Sequence, residues 1–137
     1  MEAHFSLNDK EFEQQFRDCK FDPATFSHEA HLRLAWIHIQ NYGTEKAVKN
    51  IREQLQNFVE HIGATGKYND TLTVAAVMAV SHFIKRSGAN NFAGFIQEFP
   101  RLKTNFRDLI QTHYSEDIFK LEVYKKEYVQ PDLLAFS

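Results

Sequence analysis

A single cysteine, Cys19, among 137 residues excludes an intramolecular disulfide and a thiolate-bound metal cluster. An excess of positive charge is also missing. The formal net charge is −2 and the Lys and Arg residues are scattered, without the electrostatic footprint of a nucleic-acid binder. The longest near-apolar stretch, Leu72 to Val80, includes Thr73 and is too short for a bilayer, so no membrane partner is expected. The start, MEAHFSLNDKEF, lacks the basic opening and apolar core of a signal peptide, and a cytoplasmic protein is expected. Repeats, low-complexity segments and linkers are missing too. The chain therefore reads as one domain over 1–137, monomeric or homodimeric, long enough to bury a core unaided.

What is present is aromatic and helical. Thirteen phenylalanines predict an aromatic-rich core. Residues 7–20 place Phe12 and Phe16 at helical spacing behind Asn8, a capping residue. Asp22-Pro23 marks a turn or a first helical turn. Ser27 caps a second helix running to Tyr42, where Gly43 stops it. Thr44 is read as the cap of a third helix, whose Val48, Ile51, Leu55, Phe58 and Ile62 follow a period near 3.6. After the loop GATGKYND, residues 71–86 form a helix apolar on nearly all sides. A short helix over 90–99, one opened by Pro100 through Tyr114, and a last one capped by Ser115 complete the pattern. The end, VQPDLLAFS, is expected to lie extended against the body, covering Leu133, Leu134 and Phe136. The fold class is all-α, a bundle of five to seven helices.

The second helix, HEAHLRLAWIHIQNY, carries three histidines among apolar residues. At about 100° per residue, His28, His31 and His38 fall on or beside the arc of Leu32, Ala35, Trp36 and Ile39. Glu29 and Arg33 fall outside it and are expected at the surface. Histidines on an inward face must be hydrogen-bonded, metal-bound or placed in a polar cavity. Phe26, just before the Ser27 cap, is placed to staple onto His31.

Two further stretches could complete a site. Lys67-Tyr68-Asn69-Asp70-Thr71-Leu72-Thr73 gathers an ammonium, a phenol, an amide, a carboxylate and two hydroxyls within seven residues. His82 shares a face with Thr71, Ala75 and Met78 on the fourth helix. Known signatures are lacking: the histidines of H-E-A-H are three apart, unlike H-E-x-x-H, there is no Glu-x-x-His pair, and Gly63, Gly66 and Lys67 lack P-loop spacing.

Phe26-Ser27-His28-Glu29-Ala30-His31-Leu32, then Lys67-Tyr68 with Thr71 and Thr73, then Pro131-Asp132-Leu133, resembles a group of small all-helical bacterial proteins of unassigned function. Their pattern reads F-x-H-x-x-H-L, K-Y-H-x-T-x-T and P-D-L. The resemblance implies that His28, His31, Tyr68, Thr71 and Thr73 belong to one site, and implies no activity. This chain has Asn69 where the pattern has the K-Y-H histidine, which would weaken a metal site that used it.

Three readings stay open. The histidines are core residues hydrogen-bonded to their surroundings, or His28, His31 and His82 (or Asp70) hold a divalent metal ion, or a metal-free pocket takes a small polar molecule. As an enzyme, the protein would use His28, His31 and Tyr68 as catalytic groups, with Lys67, Thr71, Thr73 and Trp36 contacting the ligand. As a non-catalytic module, it would use the same cluster to bind or to fix the fold.

Overall fold

The computed structural model describes residues 1–136 and is all-helical: eight α-helices, five of them seven residues or longer, and no strand among the described residues. The chain separates into two compact units, 1–68 and 69–137.

The first unit opens with a 3-10 turn, Ala3–Ser6, and then α1, Asp9–Arg17. Asn8 and Glu11 form a reciprocal capping box at its start. At its end Cys19 takes a left-handed conformation (φ 57°), with Cys19 N donating to Phe16 O and Lys20 N to Gln15 O. This is a Schellman stop in which cysteine occupies the position usually held by glycine. After a second 3-10 turn, Pro23–Thr25, Ser27 caps α2, His28–Tyr42.

Gly43 (φ 84°) then turns the chain in one residue into α3, Thr44–His61. Thr44 is the first residue of that helix, not its cap; Gly43 holds the cap position, and no side chain caps the helix. The left-handed φ that lets one residue join two packed helices is open to glycine and strained for threonine. Helices α1, α2 and α3 pack on one another. Their core is aromatic: Phe16 stacks on Phe58 at 4.7 Å, and Phe26 lies 4.8 Å from Phe16 and 5.4 Å from Phe58.

The second unit begins with Asn69, whose carboxamide accepts from Leu72 N as the cap of α4, Asp70–Ile84, and donates to Ile118 O. Helices α5 (Phe92–Glu98), α6 (Arg101–Thr104), α7 (Phe106–Gln111) and α8 (Glu122–Lys126) follow. The stretch expected as one helix after Pro100 is two, because Asn105 leaves helical geometry at φ −141°. The last helix starts at Glu122, seven residues beyond Ser115. Ser115 is not a cap: its backbone N and Oγ both donate to Asp132. Asp117 instead closes a turn, accepting Phe119 N. A partner from the tail, distant in sequence, outcompetes the local capping option.

The tail is anchored, as the sequence suggests, and bends at residues 132–133. It is held by Leu133 N donating to His113 O, by Tyr114 OH donating to Val129 O, and by Phe136 stacking on His113 at 3.9 Å. Phe136 is buried, but Leu133 and Leu134 remain 59% exposed, so the tail does not cover them. No helix among the described residues is long and apolar enough to cross a membrane.

Candidate functional site

The first turn of α2 carries His28 and His31, one turn apart, and both are exposed. This corrects the expectation that all three histidines are inward. A helical wheel gives direction around the axis but not how far along it neighbouring elements extend. His38, two turns further, is fully buried.

Phe26 staples onto His31 as its position before the cap suggests: the ring centroids are 3.7 Å apart and 16° from parallel. Protein crowds the ring enough that desolvation, with repulsion from His28 second, lowers the His31 pKa to about 4. At neutral pH this ring is uncharged. Tyr68 OH accepts from Gln56 Nε2 at 3.5 Å, a long contact. Lys67 is exposed at the end of the 3-10 turn Thr65–Lys67, and Trp36 is a buried core residue.

At His38, Asn50 Nδ2 lies 3.4 Å from Nδ1, which places the ring hydrogen on Nε2. That Nε2 is buried without a hydrogen-bond partner, as is Gln54 Oε1. Burial lowers the His38 pKa; Glu13 opposes the shift and Arg17 adds to it.

In the second unit the candidate residues have defined occupations. Thr71, fully buried, donates to Glu127 O at 3.0 Å and accepts from Val129 N at 3.2 Å, so its hydroxyl ties the tail down. Thr73 donates to Asn69 O, one turn back, at 2.7 Å. His82 is half-buried at the last turn of α4, with Arg86 donating to its carbonyl at 2.8 Å. Desolvation, then the nearby Arg86, His113 and Lys85, lower its pKa.

The most connected polar group of the first unit was not visible in the sequence. Glu29 and Arg33, expected at the surface, are 5% and 4% exposed, and His4 is 1% exposed. His4 Nε2 lies 2.6 Å from Glu29 Oε1. Arg33 donates to His4 O at 2.6 Å, Leu7 O at 2.8 Å and Asp9 Oδ1 at 2.9 Å, with its guanidinium 4.8 Å above the Phe12 ring. The N-terminal segment thus lies along the side of α2 that a wheel marks as polar. The one available signal was the Glu29/Arg33 spacing of four, common on solvated helices and therefore weak.

Glu2, His4 and Glu29 are the one group of three metal-type donors within 4.8 Å of one another among the described residues. Their geometry is that of a hydrogen bond. Two donors on one zinc ion at tetrahedral angles stand about 3.3 Å apart, well beyond the 2.6 Å between His4 Nε2 and Glu29 Oε1. Arg33 Nη1, 3.3 Å from His4 Nδ1, also favours the tautomer that carries hydrogen on Nε2.

At the α2–α3 junction is an open hollow of about 530 Å³ lined by Tyr42, Gly43, Thr44, Glu45, Lys46 and Lys49, none of them a site candidate. Compared with known proteins, the chain matches no family model, no curated protein and no solved structure.

Proposed function

We propose that this protein binds a small ligand through the imidazoles of His28 and His31, and that the ligand is an electron-pair acceptor. Two kinds fit: a divalent transition-metal ion, or a polar molecule that donates a hydrogen bond. The Phe26–His31 stack carries the reading. Face-to-face stacking uses the π surface of the imidazole and leaves its nitrogen lone pair, which lies in the ring plane, turned away from the contact. The ring is thus oriented before any ligand arrives, which lowers the entropic cost of binding.

For His31, binding is favoured over general-base catalysis. A base works best with a pKa near the working pH, and His31 at about 4 is too weakly basic to remove a proton effectively at neutrality. At neutrality protons do not compete for the nitrogen, which stays available as an acceptor. Lys67 and Tyr68 belong to the proposal as further ligand contacts.

The test is elemental analysis and native mass spectrometry of untagged protein, followed by titration with Zn²⁺ alone while the imidazole NMR signals are followed. The expected result is a retained organic mass, or zinc, that perturbs His28 and His31 together and is lost in both His28→Ala and His31→Ala. A protein that retains nothing and ignores zinc, or binds equally well in both variants, would overturn the proposal.

A further inference from the structure

Two contacts from the N-terminal segment meet α2 on either side of His28, and they are linked to each other, since Glu2 Oε1 also lies 3.8 Å from His4 Nε2. Glu2 accepts from the hydroxyl of Ser27, the residue before it. That hydroxyl also accepts Ala30 N at 3.1 Å, so one oxygen both caps the helix and joins it to Glu2. Glu29, the residue after His28, is bonded at 2.6 Å to His4 and is buried there. Arg33, one turn beyond Glu29 on the same face of α2, holds the segment through the carbonyls of His4 and Leu7. The backbone on both sides of His28 is thereby tied to residues 2–7, and its first turn cannot rotate or fray without breaking these bonds.

We infer that Glu2 and Glu29 are positioning residues for the His28/His31 face, the N-terminal segment acting as a splint on the first turn of α2. The inference rests on the reading of that face as the ligand site. Helix ends fray because their first N–H groups lack intrahelical partners. A ligand pair placed in that turn is held loosely unless a second layer of contacts fixes it. Here the second layer is supplied by residues about 25 positions away in the chain. Neither carboxylate is assigned a contact with the ligand.

The experiment is the rate of carbethoxylation of each histidine by diethyl pyrocarbonate in the ligand-free full chain, read by peptide mass spectrometry. The exposed His61, in the last turn of α3, serves as internal reference. In Glu2→Ala and Glu29→Ala the rates at His28 and His31 are expected to rise severalfold relative to His61, as the released first turn frays. Glu2→Gln and Glu29→Gln keep an acceptor oxygen and are expected to restore the wild-type rates. Asn91→Ala, which removes the cap of α5, controls for general loss of stability. Glu29→Ala removes the shortest bond of the buried His4 and risks misfolding, so half-exposed Glu2 is the decisive position.

Unchanged rates in Glu2→Ala, or an equal change in Asn91→Ala, would overturn the inference. Because no ligand is added, a splint effect without zinc or organic binding would sink the binding proposal and leave the positioning role standing.

Discussion

Replacing Arg33 by alanine separates the tertiary structure from the helical wheel, because the two assign opposite consequences. At the surface, as its wheel position suggests, the change would cost within about 0.5 kcal/mol. In the structure the guanidinium is buried and has three kinds of partner. The Asp9 carboxylate is 48% exposed, so that ion pair contributes at most about 1 kcal/mol. Leu7 O, left without a donor, costs about 1–2 kcal/mol, and His4 O, which keeps Leu7 N as a donor, about 0.5–1 kcal/mol. The contact with the Phe12 ring adds about 1 kcal/mol. Together these indicate about 3–5 kcal/mol. Trp36, the only tryptophan, lies on α2 one turn beyond Arg33 and reports unfolding of this region by fluorescence. With a urea dependence of about 2 kcal/mol per molar, the midpoint should fall by about 2 M. Arg33→Lys keeps the charge but loses the fork and should fall between. A loss under about 1 kcal/mol in Arg33→Ala would refute the buried-network account.

Three other outcomes follow from the geometry. His31 has a folded pKa below its unfolded value, so its contribution to stability is present above about 6.5 and is lost as pH falls toward about 4. Urea unfolding between pH 7 and 4 should show a shallower decline in His31→Phe than in wild type, and parallel declines would contradict the desolvated ring. Thr71→Val should orphan Glu127 O and Val129 N, cost about 2–3 kcal/mol and speed proteolysis between residues 127 and 136, while Thr71→Ser behaves as wild type; an unaltered cleavage rate would remove Thr71 as the anchor of the tail. Cys19→Gly should raise stability by about 0.5–1 kcal/mol, since glycine takes φ 57° without strain; a fall in the thermal midpoint would mean that the cysteine side chain outweighs its backbone strain.

The elements that were legible in the sequence are those with local causes. Asn8, Asp22 and Ser27 each accept a backbone N–H at the start of a helix or turn, and such bonds span two or three residues; Asn69 and Asn91 do the same at α4 and α5, where no cap was read from the sequence. The periodic apolar stripe of α3 and the stop at Gly43 are local in the same sense. The Phe26–His31 staple was legible too, because cap numbering alone brings those positions together.

What the sequence did not reveal depends on partners far along the chain. Ser115 has the composition of a cap, yet Asp132 takes both its donors from 17 residues away. Glu29 and Arg33 have the wheel position of solvated charges, yet His4, Leu7 and Asp9 cover them. By itself the sequence determined the helical class, the main helix starts and the presence of histidines on the second helix, because capping and periodicity act over a few residues. Only the tertiary structure decided which histidines are open and which charges are buried. A side chain's burial is a property of what packs over it, and helical phase carries no information about that.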